Sequence, residues 1–309
     1  MKQFRVHIAI VLVVLATLVT VLLLDTKTSR GQSQSLKQGS DSSGSRSRVK
    51  PNSMVRDASP STVLAPVVAR NLMLRNELSW SFGGKQQRGW YLYTALIGRL
   101  LGTQDDAGSQ PFAAALMRWQ EKSGLSPSGV LDEDSLYAMV SEWQGRRLKD
   151  RNYPAPDQLV TAPSSDFYDR DRLDELRQVE RQTYAAYKRL VAAAAADRSL
   201  GLARDARGEL APTEKYLKIL SSFRTREYQD RLRRESPHAG RAGLAVNSPH
   251  FSGRALDLYV GGEPVETKDS NRAVQVHSRV YQWLVHNAER FGFRPYYYEP
   301  WHWEYVGAQ

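Results

Sequence analysis

Two segments of this chain carry residues that could do metal chemistry together. Ser248-Pro249-His250-Phe251-Ser252-Gly253-Arg254-Ala255-Leu256-Asp257 supplies an imidazole and, seven residues on, a carboxylate. Glu299-Pro300-Trp301-His302-Trp303-Glu304-Tyr305 supplies a second imidazole with a carboxylate three residues before it. Two imidazoles and one carboxylate match the protein donors of a catalytic zinc site, with a fourth position open for water and an acid or base beside it. One Zn2+ ion is therefore the expected cofactor. The chain has no cysteine. Thiolate ligands, disulfides, a Cys nucleophile and a lipid-modified N-terminal Cys are excluded.

Each piece is weak when it stands alone. Ser236-Pro237-His238-Ala239-Gly240-Arg241-Ala242 nearly copies the start of the first segment, but seven residues beyond His238 stands Ala245. His238 is read as loop decoration, and His250 with Asp257 as the pair that matters. The stretch 255–260 alternates, so Leu256, Leu258 and Val260 share one face of a strand and Asp257 takes the other. Gly253 can make a tight reversal that brings His250 back over that face. Pro300 biases Glu299 away from helix. In an ideal strand Glu299 and His302 would face opposite ways, so a bend at Pro300-Trp301 is required to aim both at one metal. Trp301, Trp303 and Tyr305 would wall the site against water. The plainer alternatives are a surface Asp on a half-buried strand and a satisfied core His on an aromatic one.

The pattern S-x-H-x-x-G-x-A-x-D followed by E-P-W-H-W resembles the signature of the VanY-type zinc D,D-peptidases, a group that includes the D-Ala-D-Ala dipeptidases. Ser222-Phe223-Arg224-Thr225, with Gln229 after it, is similar to that family's S-x-Y-R-S segment. Trp283-Leu284-Val285-His286-Asn287-Ala288, then Phe291-Gly292-Phe293, is similar to its W-L-x-x-N-A and F-G-F stretch. The likeness covers about residues 205–309. It implies that His250, Asp257 and His302 bind Zn2+ and that Glu299 is the catalytic acid/base. It also implies that Arg224 holds the substrate's carboxylate or carbonyl oxygen, with Ser248 and Gln229 helping to position the substrate. Phe251-Ser252 stands where the family has Gln-Thr, and Phe223 where it has Tyr, which puts specificity in question more than chemistry. Glu304 is a rival base outside the family's pattern. The implied fold of this part is α+β, a small mainly antiparallel sheet with flanking helices.

The rest of the chain must hold and place this part. With 309 residues it has room for about two domains, and 41% hydrophobic residues suffice for ordinary cores. Residues Ile8 to Leu24 are apolar apart from two threonines, a run at the short end of a membrane span. Residues 1–25 are read as an uncleaved signal anchor, a single transmembrane helix, against a cleaved signal peptide as the rival. Residues 26–65, rich in Ser, Gln, Gly and Lys, are read as a flexible linker. Residues 66–146 are expected to form a small all-α module. Its Trp119-Gln120, Gly124-Leu125 and Gly129-Val130 resemble the small peptidoglycan-binding module, with a helix, a Gly/Pro loop and a second helix capped near Asp132. The stretch 80–90, bounded by Trp80 and Trp90, is either a packed turn or a carbohydrate-stacking surface. Residues 147–204 are linker and one long helix from Asp166 to Leu200, and 205–309 the peptidase domain.

The formal charge of +10 fits a solvated basic surface or weak attraction to anionic lipid or cell-wall polymers; no nucleic-acid motif is present. Expected partners are peptidoglycan stem peptides and the cytoplasmic membrane, with the catalytic part outside it. The leading expectation is a zinc D,D-carboxypeptidase removing the terminal D-Ala of stem peptides. A zinc peptidoglycan endopeptidase and a non-catalytic cell-wall-binding protein are the alternatives.

Overall fold

The computed structural model describes residues 60–236 and 244–307, with side chains from Leu64 onward. The expected membrane anchor, most of the linker and His238 lie outside the described residues. Among the described residues no helix is long and apolar enough to cross a membrane.

The N-terminal part runs through α1 (Pro60–Glu77), β1 (Ser79–Phe82), β2 (Lys85–Arg88), α2 (Thr94–Leu101), α3 (Gln110–Lys122) and α4 (Glu133–Gly145). Helix α3 begins at Ser109, whose hydroxyl accepts the Phe112 N–H, and α4 at Asp132, whose carboxylate accepts the Ser135 N–H. The loop between them is tied by buried Gln120, which accepts from Gly129 N–H at 2.8 Å and donates to Val130 O and Ser135 Oγ, both at 2.9 Å. The expected helix–loop–helix is present. The part is not all-α, however, because β1 and β2 form an antiparallel hairpin. Gly83 and Gly84, with φ of 58° and 79°, supply the two positive-φ positions that a two-residue hairpin turn needs. Trp80 and Trp90 are both buried, Trp80 edge-on to Tyr93 and Trp90 stacked on Phe112. This is the packed-turn alternative; neither ring is free to stack on sugar.

The connecting stretch pairs β3 (Leu159–Thr161) with β4 (Gln178–Glu180) and then enters α5 (Arg181–Ala196). A single helix from Asp166 to Leu200 does not form. Val179 is buried in the β3–β4 pair, and Phe167 bridges to Ile219, so tertiary pairing overrides a helix-prone sequence. Glu180 starts α5 by accepting from the Gln182 and Thr183 N–H groups. The helix docks through Tyr187, whose hydroxyl donates to Leu217 O at 3.1 Å.

The C-terminal part contains β5 (Ile219–Ser221), α6 (Arg226–Glu235), β6 (Ala255–Leu258), α7 (Asp269–Val276), α8 (Arg279–Asn287), β7 (Phe293–Pro295) and β8 (His302–Tyr305). The four strands form one antiparallel sheet in the order β5-β6-β8-β7. This is the α+β arrangement expected. Its register sets Ser221 opposite Asp257 and Asp257 opposite His302. Leu256 and Leu258 bury their side chains in the core with Trp303, and Tyr281 of α8 meets Trp303 edge-on at 6.3 Å. Each such large apolar side chain contributes on the order of 1.5–3 kcal/mol by leaving water.

The described residues cluster as one unit, and the core continues across the boundary expected near residue 146. Tyr297 is the seam: Phe82, Tyr93 and Trp143 lie 4.9, 5.5 and 5.7 Å from its ring. Buried Arg272 donates to the Tyr93 hydroxyl at 2.8 Å.

Candidate active site

Strand pairing brings the sequence's scattered donors to one place. Asp257 and His302 are cross-strand partners on β6 and β8, with His302 Nδ1 2.9 Å from Asp257 Oδ1. His250 sits in a short 3-10 turn, Pro249–Ser252, whose first N–H is capped by Ser248 Oγ. Gly253 ends that turn at φ 68°, and a Cβ there would come 3.0 Å from Glu180 N, so the expected reversal requires glycine. The reversal places His250 Nε2 3.3 Å from Asp257 Oδ2. One donor atom from each of His250, Asp257 and His302 falls within 4.8 Å of the others, and all three residues are buried.

These residues fit a cation by the direction of their lone pairs. His250 Nδ1 lies 2.7 Å from Ser222 O, an obligate acceptor, so Nδ1 carries the proton and Nε2 faces Asp257 as an acceptor. Two acceptors facing each other need positive charge between them, which a divalent ion supplies. Burial together with the nearby Arg224 guanidinium pushes the His250 imidazolium down to about 4, leaving the ring neutral as a ligand must be. Burial opposes ionisation of Asp257, yet contacts with His250, His302 and Arg224 outweigh it and hold the carboxyl well below its usual range. For His302 burial again opposes the charged form, but hydrogen bonds to Asp257 and Glu304 raise it to about 9.

The expected bend is present. Glu299 N–H donates to Tyr296 O and His302 N–H to Glu299 O at 2.9 Å, a turn through Pro300-Trp301 that leads into β8. Glu299 Oε2 thereby sits 4.0 Å from His302 Nδ1. Glu299 is buried, and burial pushes its carboxyl up to about 8, a value suited to moving protons near neutral pH.

A cavity of about 250 Å³ opens here, lined by Arg147, Arg151, Arg224, Ser248, His250, Asp257, Glu299 and His302 among others. Arg224 is at the wall, but its donors are engaged: Nε to Ser221 Oγ at 2.9 Å, Nη1 to Gln229 Oε1 at 3.2 Å and Nη2 to Asp257 Oδ2 at 2.6 Å. Gln229 does not line the cavity. Its amide joins Arg224 to Ala245 O, so it braces the Arg224 guanidinium from behind the wall. Glu304 does not line the cavity either. It meets the opposite nitrogen of His302, Nε2, at 3.2 Å. That position does not suit the rival base. Trp301 lines the cavity, whereas Trp303 belongs to the core behind the sheet. Arg147 and Arg151 carried no sequence signal, since a lone Arg after a helix is ordinary surface; only the fold carries them to the cavity.

Residues 176–308 match a protein-family model described as VanY: D-alanyl-D-alanine carboxypeptidase. No curated protein matches the chain. Among solved structures it is similar to one described as "Structure of the LdcB LD-carboxypeptidase reveals the molecular basis of peptidoglycan recognition". That likeness is 21% identical, covers 52% of this chain and 72% of the other, and has a TM-score of 0.36. The family match supports a peptidase. The four-stranded sheet, the three converging donors and the buried Glu299 all lie within the stretch that matches the VanY D-alanyl-D-alanine carboxypeptidase family.

Proposed function

We propose that this protein is a zinc-dependent D,D-carboxypeptidase that removes the terminal D-Ala from peptidoglycan stem peptides. The observation that carries this reading is the convergence of His250, Asp257 and His302 beside the buried carboxyl of Glu299 in one cavity. A zinc ion held by those three residues would supply a Lewis acid and lower the pKa of water bound to it. Glu299 takes the proton of the attacking water and delivers it to the leaving amine as the peptide bond breaks. Arg224, held rigid by Ser221 and Gln229, keeps fixed positive charge where the carbonyl oxygen gains negative charge. Trp301 and Tyr296 on the cavity wall help to exclude bulk water.

Arg151 favours a carboxypeptidase over an endopeptidase. It reaches the cavity with its side chain anchored by a hydrogen bond from Nη1 to Asn247 O at 2.7 Å. A cation there in addition to Arg224 suits a substrate that ends in a free carboxylate beside the scissile bond. The N-terminal apolar run and the polar stretch after it are proposed to hold the enzyme on the outer side of the cytoplasmic membrane. The test is incubation with a stem pentapeptide and, separately, with cross-linked dimers. Release of D-Ala from the pentapeptide is expected. Cleavage of the dimers with an intact pentapeptide would overturn the assignment.

A further inference from the structure

Glu304 is fully buried two residues beyond His302, and nothing in the chemistry above uses it. Along β8 residues 302 and 304 project to the same face, which brings Glu304 Oε1 to His302 Nε2. Among the described residues, the other hydrogen bonds to this carboxylate come from one distant piece of chain, the segment just after α4. Arg147 donates to Oε1 through Nε at 3.0 Å and also through Nη2, and the Leu148 backbone N–H donates to Oε2 at 2.8 Å. The Arg147 guanidinium lies 3.9 Å over the Tyr296 ring, which fixes its plane. Both carboxylate oxygens are thus engaged.

We propose that Glu304 is the positioning residue of the metal centre and that Arg147 and Leu148 hold it in place. The segment that closes the helical part thereby completes the site of the C-terminal part. This rests on the zinc reading above. A carboxylate that accepts the Nε2–H of a ligating imidazole sets its tautomer and ring angle. In His302 it leaves Nδ1 unprotonated, with its lone pair turned to the metal position beside Asp257. His250 is held in the opposite sense, Nδ1–H to Ser222 O, with the Nε2 lone pair turned to the metal position. The two imidazoles therefore ligate through different nitrogens, each fixed by a different part of the chain.

The test uses the whole chain, and its first readout is zinc affinity by competition with a chromophoric chelator. Glu304→Leu is expected to weaken zinc binding by about 10–100-fold, the usual loss for such partners. Arg147→Met is expected to weaken it in the same direction, and Arg147→Lys, which keeps the charge but not the fork or the stacked plane, to restore part of it. Arg146→Ala removes the neighbouring surface cation, which pairs with Glu142 on its own helix, and is expected to leave affinity unchanged. Far-ultraviolet circular dichroism checks that each variant is folded, and the Arg147 pair decides the matter if Glu304→Leu is not. The second readout is 15N NMR of histidine in the zinc-loaded protein. It should show a proton on Nε2 of His302 and on Nδ1 of His250, with the His302 pattern altered in Arg147→Met. Wild-type affinity in folded Arg147→Met, or a proton on His302 Nδ1, would overturn the proposal. A wild-type protein that takes up no zinc would instead overturn the metal reading itself.

Discussion

Glu299→Gln separates the two consequences of burying a carboxyl group beside the metal site. Burial raises Glu299 from an ordinary 4.5 to about 8, so the fold favours its protonated form. A group raised in the folded state gives stability that is whole below the unfolded value and is lost as pH climbs through the folded one. The window here runs from about pH 4.5 to about pH 8. At about 1.36 kcal/mol per unit, the loss across it is on the order of 5 kcal/mol at most. At pH 5 it is only about 1 kcal/mol, and by pH 9 it is complete. Glutamine has nearly the same shape and no proton to lose, so the variant escapes the penalty. In chelator-treated protein the melting temperatures should nearly coincide at pH 5. At pH 9 the variant should melt higher by roughly 10 °C, taking about 2–4 °C per kcal/mol for a unit of this size. The zinc-loaded variant should retain its metal and lose hydrolysis of the stem pentapeptide by at least about 10²-fold. Two results would refute the reasoning: a melting gap independent of pH, or turnover at the wild-type rate.

Other substitutions probe the remaining parts. Asp257→Ala should abolish zinc uptake and also destabilise the fold by about 3–5 kcal/mol, because it strands the buried Arg224 guanidinium; elemental analysis and a denaturant titration check both. Arg151→Gln should raise KM for the pentapeptide several-fold while leaving kcat and zinc content near wild type, and steady-state kinetics would show otherwise if this guanidinium does not meet substrate. Gly253→Ala should cost about 1–3 kcal/mol by forcing a side chain into a left-handed backbone next to Glu180, seen as a lowered melting temperature with reduced zinc affinity.

The donors of the site were legible in the sequence because their spacing is local: His250, Gly253 and Asp257 lie within eight residues, and Glu299 and His302 within four. The alternation through 255–258 and the need for a bend at Pro300 were legible too, since both follow from backbone geometry. What joins the two segments was not. The Asp257–His302 pairing is a cross-strand contact over 45 residues, and no periodicity encodes a partner. The stretch from Asp166 to Glu180 reads as helix locally, yet its edges pair with Leu159–Thr161 and Ile219, and those partners lie elsewhere in the chain. The hairpin at Gly83-Gly84 was hidden for a different reason: Lys85-Gln86-Gln87-Arg88 has none of the β-branched residues that mark strands. The family likeness implies a substrate contact for Gln229, but its place on α6 says nothing of the bracing seen in the fold, where Arg224 and Ala245 take both ends of its amide.

The ladder from Ser221 through Asp257 to His302 has a bearing on which length changes this chain tolerates. Side chains alternate with a period of two, so inserting or deleting one residue within Ala255–Leu258 or His302–Tyr305 would turn a donor to the apolar side of the sheet. The chain between Leu258 and Phe293 enters no strand of this sheet. Insertions in its exposed stretches, such as the turn around Glu263, leave the ladder as it is. Lineages of such enzymes can therefore remodel the rim of the cavity by growing or trimming that excursion, while the metal-binding atoms stay where the backbone pairs them.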